Sequence, residues 1–290
     1  MRESAHIRVP GIPKLDLIFY PAALMQTRPR SGPWHDHARQ WSRLASPLRP
    51  HGDDVSNVRH ALQNAAGLHL LLGVTPEYAH LTDGVVAVDR NEAMISALWP
   101  HPGRNAIQGD WLHLPVRHEV CGAVIGDGAL NAVRYYSEYV RLFDEVKRVL
   151  QPGGRLVLRA FVRPEMEEEA CEAVCERTNK GNIGSFHAFK WRLAMAIASE
   201  SGDTNVPLGR IHATFESLWP DRQQLAATTG WTPEQIATID VYRGLRASYS
   251  FPTLSELRQA FASNFREVAL AYGSYELSDR CPVITLEPCK

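Results

Sequence analysis

Three aspartates, each following a short apolar run, are the residues best placed to do chemistry. Asp89 closes VVAVD, Asp110 stands in IQGDWLHLP, and Asp127 precedes Gly128 in VIGDGALNAV. A carboxylate at the tip of a parallel strand can accept hydrogen bonds from both hydroxyls of a ribose, and Asp89 has that position. Arg90 stands beside it, and Met94 and Ile95 fall on the following helical segment, where they would flank an adenine ring. Asp110 could accept from an adenine amino group, with Trp111 stacked beside the ring. Asp127 falls at the switch-point neighbourhood of an open sheet, where a reacting centre would lie. The plainer readings are a helix N-cap for Asp89 and a surface turn with a core tryptophan for Asp110 and Trp111. The spacing of Asp89 after Gly73 favours ribose.

These residues need a frame. Apolar runs recur at 68–72, 85–88, 105–108, 123–125 and 155–159, with helical segments at 91–99 and 137–150 between them. Strands alternating with helices imply a parallel sheet covered on both faces, and continuous apolar runs are what doubly buried strands require. Ahead of the first strand, a short helix is expected at 35–44. A second helix follows, capped by Asp53 or Asp54 and stopped by Gly67. Residues 164–200 read as amphipathic helix, and 268–272 with 283–286 as two closing strands.

The first strand-to-helix junction is LHLLLGVTPEYA. Gly73 would let a ligand approach the backbone, Thr75 suits an N-cap, Pro76 suits the first helical position, and Glu77 suits the helix dipole. A G-x-G-x-x-G run is absent, which argues against a dinucleotide pyrophosphate over this loop.

Composition narrows the partners. The chain has 290 residues and a formal net charge of −1, without a long Lys/Arg run, so neither DNA nor a large RNA is expected. No apolar stretch reaches the ~20 residues that span a bilayer. The N-terminus lacks the apolar segment of a signal peptide, so the expected location is the cytoplasm. Five cysteines without a CxxC fit reduced thiols, and no metal site is expected.

The order LLLGVTPE, VDRNEAMI, GDWLHLP, IGDGAL, LQPGGRLVLR over residues 55–160 resembles class I S-adenosylmethionine-dependent methyltransferases. The resemblance implies a Rossmann-like α/β fold with a mostly parallel seven-stranded sheet and helices on both faces. The two closing strands match that family's antiparallel addition. It further implies S-adenosyl-L-methionine as cofactor, with Gly73 near its methionine moiety, Asp89 on the ribose, and Asp110 and Trp111 on the adenine. The first motif departs from the family, which has an acid in the first strand and G-x-G-x-G after it. Leu71 stands in place of the acid. Arg49 is therefore the candidate for the cofactor carboxylate, and Trp41 for closing the pocket as a substrate contact.

The expected organisation is an N-terminal cap at 1–54, a cofactor-binding core at 55–161, a helical lid at 162–262 and a closing strand pair at 263–290. Within the lid, GSFHAFKWRLAM offers His187 as a base and Lys190 and Arg192 to hold an acidic or phenolic substrate. Tyr242 and Tyr249 are candidate pocket walls. The plainer readings are a solvated basic helix face and core aromatics. The expected function is methylation of a small molecule at O or N by a bacterial biosynthetic enzyme. The alternative is a non-catalytic S-adenosylmethionine binder or scaffold that keeps the fold. The sequence leaves the oligomeric state open.

Overall fold

A computed structural model describes residues 40–101, 104–166 and 169–290. The expected helix at 35–44 falls partly outside these residues. Its described end is a single 3-10 turn, Trp41–Arg43. The first helix, α1, runs Gly52–Ala61, and its N-cap is His51, not Asp53 or Asp54. Asp54 instead takes the third helical position and accepts from the His51 backbone N–H, a reciprocal capping box that satisfies two otherwise orphaned donors. Gly67, expected to stop this helix, lies beyond the helix end and leads with φ +99° into the first strand.

Seven strands form one sheet: β1 Leu68–Leu72, β2 Val85–Asp89, β3 Ala106–Gln108, β4 Cys121–Asp127, β5 Leu150–Arg159, β8 Phe265–Ala271 and β9 Val283–Pro288. Their order is β3-β2-β1-β4-β5-β9-β8. β1 to β5 run parallel, and β9 joins β5 antiparallel. This is the Rossmann-like arrangement with the expected antiparallel pair. Two helices follow strands directly, α2 at Glu92–Leu98 and α3 at Ser137–Val149.

The period of two along each strand sorts the core. Leu70, Leu72, Val86, Val88, Val124, Leu156 and Leu158 pack on one face with Tyr139, Phe143 and Val146 of α3. Leu71, Val85, Ala87, Ala123, Ile125 and Val157 pack on the other, with Val58 of α1 and Met94 of α2. Where β4 enters, Gly122 lies so close to the loop before β1 that an added Cβ would sit 1.8 Å from the Ala66 carbonyl oxygen. The Ala66 backbone cannot yield as a side chain would. Gly122→Ala is therefore expected to lower stability by about 1–3 kcal/mol, the range of an overpacked core. A urea denaturation midpoint equal to that of the parent would contradict this packing.

Between β5 and β8 the chain builds a second body. It contains α4 Cys171–Asn179, α5 Phe186–Ser201, β6 Asn205–Pro207, α6 Leu208–Leu218, α7 Arg222–Thr229, α8 Pro233–Ile236 and β7 Ser248–Ser250. Its aromatic core includes Phe186, Phe189, Phe215, Trp219 and Trp231 and is separate from the two sheet cores. The last helix of the expected lid segment, α9 at Leu254–Phe261, packs its Leu257, Ala260 and Phe261 on the sheet core, so it belongs with the sheet. Among the described residues no helix is long and apolar enough to cross a membrane.

Candidate active site

The carboxyl ends of β1, β2, β4 and β5 converge on one cavity of about 200 Å³. Gly73, Thr75, Asp89, Arg90, Met94, Trp111 and Asp127 line it, as do Trp41 and Tyr249. Of the expected contacts, these nine are brought together. Arg49, Asp110, His187, Lys190, Arg192 and Tyr242 are not among its lining residues.

One end is built by β1 and β2. Gly73 has φ +100°, which favours glycine, and its N–H donates to the Val88 carbonyl at 2.8 Å. The Trp111 indole N–H donates to the same carbonyl at 2.6 Å, which fixes the ring beside Gly73. Asp89 is not the helix cap. Asn91 caps α2 by accepting from Ala93 and Met94, while Asp89 Oδ1 accepts from the Asn91 N–H at 2.8 Å. Burial pushes the Asp89 carboxyl up to about 6, against the pull of the Asn91 N–H and the Arg90 charge.

The opposite end is a buried ion cluster. Arg159, the last residue of β5, donates through Nε to Asp127 Oδ1 at 2.6 Å. Its Nη1 reaches the Pro47 carbonyl at 2.8 Å and Asp54 Oδ2 at 3.5 Å. Its Nη2 has no hydrogen-bond partner, although Arg159 lines the cavity. Burial opposes the charge on Arg159 and is the largest single effect, but Asp127 together with Tyr78, Tyr275 and Cys281 more than offsets it and holds the guanidinium well above its usual value. Burial raises the Asp54 carboxyl, and Arg159 offsets part of that rise.

Several expectations are corrected. Thr75 makes no cap: Pro76–Tyr78 is one 3-10 turn, and Thr75 Oγ1 donates to Asp127 Oδ2 at 3.0 Å. Arg49 is already neutralised. Its Nε donates to Glu77 Oε1 at 2.7 Å, and its guanidinium lies over the Trp41 ring. Asp110 turns away to bond Arg90 Nη2 at 2.9 Å and the Leu112 N–H.

The helix α5 is buried nearly all round, which overturns the reading of a basic face. His187 donates to the Arg43 carbonyl at 3.0 Å, and burial, helped by Lys190, holds it down to about 4. It is neutral at pH 7 and packed away from the cavity. Lys190 is fully buried against Tyr242, and desolvation brings it down to about 7. Arg192 faces Glu169 at 3.9 Å, and Tyr242 is core.

Sequence reasoning missed Arg159, Asn131, Phe161 and Trp191 as cavity residues. Asn131 grips Phe161 from both sides: its Nδ2 donates to the Phe161 carbonyl at 2.8 Å and its Oδ1 accepts the Phe161 N–H at 3.0 Å. The one signal was Arg159 itself, a charge ending an otherwise apolar strand. Among the described residues the metal-competent group is His212, Glu216 and Asp240, in the second body. Arg222 bonds both carboxylates there, so it is an ion-pair network.

Residues 72–158 match the model of a methyltransferase domain family. No curated protein sequence matches the chain. Solved structures share the fold. The CcbJ methyltransferase from Streptomyces caelestis is 13% identical with a TM-score of 0.52, covering 91% of this chain and 100% of that one. A DhpI complex with S-adenosylhomocysteine is 15% identical with a TM-score of 0.52, covering 88% and 93%. A Rhodobacter sphaeroides protein described as a Zn-dependent alcohol dehydrogenase is 10% identical with a TM-score of 0.55, covering 87% and 98%. At such identities the likeness speaks for the fold alone. The profile match over residues 72–158 is to a methyltransferase domain, and the sheet order with antiparallel β9 and β8 is that of a Rossmann-like fold.

Proposed function

We propose that this protein transfers a methyl group from S-adenosyl-L-methionine to the O or N of a small molecule. The observation that carries the reading is the desolvated Asp89 at the tip of β2, facing one cavity with Gly73 and the Arg159–Asp127 pair. The residues fit the cofactor. Asp89 would accept from the ribose diol, Met94 and Trp111 would flank the adenine, and the unpartnered Arg159 Nη2 would take the carboxylate of the methionine end. Asp127 would favour the ammonium there. The cofactor, when bound, supplies a methyl group already activated by its sulfonium.

The protein's own part is positioning and exclusion of water. Asn131 holds Phe161, and α5 carries Trp191 over the same cavity, so the acceptor would meet rigid aromatic walls. His187 is given no part, because it is buried, is not among the cavity-lining residues and already bonds the Arg43 carbonyl.

Calorimetric titration with S-adenosylmethionine and S-adenosylhomocysteine tests the reading, followed by turnover with a labelled methyl donor over a substrate panel. Asp89→Ala is expected to weaken both ligands by about 1.5–3 kcal/mol, the scale of a charge-assisted hydrogen bond. In the parent, affinity should fall as pH drops through about 6, where Asp89 takes up a proton and loses acceptor capacity. A folded Asp89→Ala variant that binds as tightly as the parent would falsify the ribose assignment. The altered GVTPE loop of the first motif is the feature that favours the rival, a non-catalytic binder or scaffold. Tight binding without transfer to any acceptor would support it.

A further inference from the structure

Five of the six described tryptophans fall into two groups. The indole N–H of Trp99 donates to the Arg104 carbonyl at 2.9 Å, that of Trp111 to Val88 at 2.6 Å, and that of Trp231 to Gly184 at 3.3 Å. The indole nitrogens of Trp41 and Trp191 are also buried, yet neither has a partner. Both of these side chains line the cavity. A buried donor left unmade costs about 1–3 kcal/mol, so two at one cavity call for acceptors that arrive with a ligand.

The surroundings say what that ligand is. Trp191 packs edge-on against Phe161 at 5.1 Å and Tyr249 at 5.3 Å between ring centroids, and both neighbours line the cavity too. Asn131 anchors the Phe161 backbone in this wall. The ionisable side chains lining the cavity are Asp89, Arg90, Asp127, Arg159 and Tyr249. Asp127 and Arg159 neutralise each other, and Asp89 with Arg90 stands at the opposite, β2 side. Lys190 and Arg192 lie elsewhere, and the free Nη2 of Arg159 is the group that would take the cofactor carboxylate, so what the aromatic wall offers the acceptor is π faces and neutral N–H donors.

We propose that the methyl acceptor is a planar, uncharged aromatic molecule with a carbonyl or ring-nitrogen acceptor, held by the indole N–H groups of Trp191 and Trp41. This rests on the methyl-transfer reading, since it names the acceptor of that reaction. Rings of this kind stack against Phe161 and Tyr249 while presenting lone pairs at the ring edge, where the indole donors are. A purely aliphatic substrate would leave both donors unsatisfied, and an anionic one would compete with the cofactor carboxylate for Arg159, whose guanidinium lies 4.9 Å from the Phe161 ring centre.

The test uses the full chain labelled with 15N at tryptophan, with the indole resonances assigned by loss in Trp41→Phe and Trp191→Phe. S-adenosylhomocysteine is titrated first; no binding at that stage would overturn the methyl-transfer reading, and this inference with it. Quinolin-4-one is then added to the loaded protein, with naphthalene as a planar control lacking an acceptor. The expected result is a downfield move of the Trp41 and Trp191 indole protons with quinolin-4-one but not with naphthalene. The Trp99 and Trp231 signals, already bonded, should stay in place. Trp191→Phe keeps the ring and removes the donor. It should weaken quinolin-4-one about fivefold, within the range of one neutral hydrogen bond, and leave naphthalene unchanged. Binding of S-adenosylhomocysteine with unmoved Trp41 and Trp191 signals, or equal losses for both probes in Trp191→Phe, would overturn the inference alone.

Discussion

Arg159→Met is expected to cost about 3–5 kcal/mol of folding free energy, the loss found when one partner of a buried ion pair is removed. The reason is the company Arg159 keeps. Its side chain and that of Asp54 are 0% exposed, that of Asp127 is 4% exposed, and both carboxylates lean on one guanidinium. Methionine fills much of the arginine's space, so the cost is chiefly two carboxylates left without a cation in a medium that solvates them poorly. The triple variant Arg159→Met, Asp127→Asn, Asp54→Asn removes the charges as well and should recover most of the loss. Urea denaturation of the single and triple variants decides between charge and packing: equal instability in both would mean that shape, not electrostatics, holds this corner. The Asp127 contact to Thr75 ties the cluster to the loop after β1. Arg159→Met should therefore also loosen the methionine end of the cavity and lower the affinity for S-adenosylhomocysteine.

The sheet was legible in the sequence because its physics is local. Parallel strands buried on both faces must be apolar throughout, and LHLLL and VVAV have few other ways to fold. The start of β5 was not legible in the same way. LQPGGR reads as a helix stop and a turn, yet the strand begins at Leu150 and absorbs the turn as a register shift opposite Cys121 and Ala123. The ribose-side residues Asp89, Met94 and Trp111 were legible as cavity residues because they follow strand tips at fixed offsets. The other end was not, since Arg159, Asp54 and Asp127 lie far apart in sequence and meet only when β4 and β5 pair beside α1. The GVTPEYA loop shows the limit of capping rules. Thr-Pro-Glu is a good helix start, but Thr75 found a better partner in Asp127, and the segment closed after one turn.

The largest misreading was α5, where Lys190 and Arg192 were read as substrate contacts or, more plainly, as a solvated face. In FHAFKWRLAMAIA every remaining position is apolar or histidine, and such a helix has no face to spare for solvent. The chain buries Lys190 completely, with its Nζ 3.4 Å from Thr238 Oγ1 and 5.0 Å from the centre of the Tyr242 ring. His187, on the same helix, adds no compensating charge, because it is held neutral. A lysine brought from 10.5 to about 7 by desolvation makes stability depend on pH in a defined direction. Below pH 7 both folded and unfolded chains carry the proton, and the full cost of the buried charge is present. Between about 7 and 10.5 the unfolded chain holds the proton and the folded chain does not, so this group makes stability rise with pH by up to roughly 1.4 kcal/mol per unit. Lys190→Met keeps the length of the side chain and removes the amine. It should stabilise the protein by several kcal/mol near neutrality, the largest gain expected of any single substitution in this core, and flatten the pH profile from 7 to 9. Urea denaturation of parent and variant at pH 6.5, 7.5 and 8.5 measures both effects. Parallel profiles would mean that Lys190 keeps its proton in the folded state, with the Tyr242 and Phe186 rings supplying more stabilisation than desolvation removes.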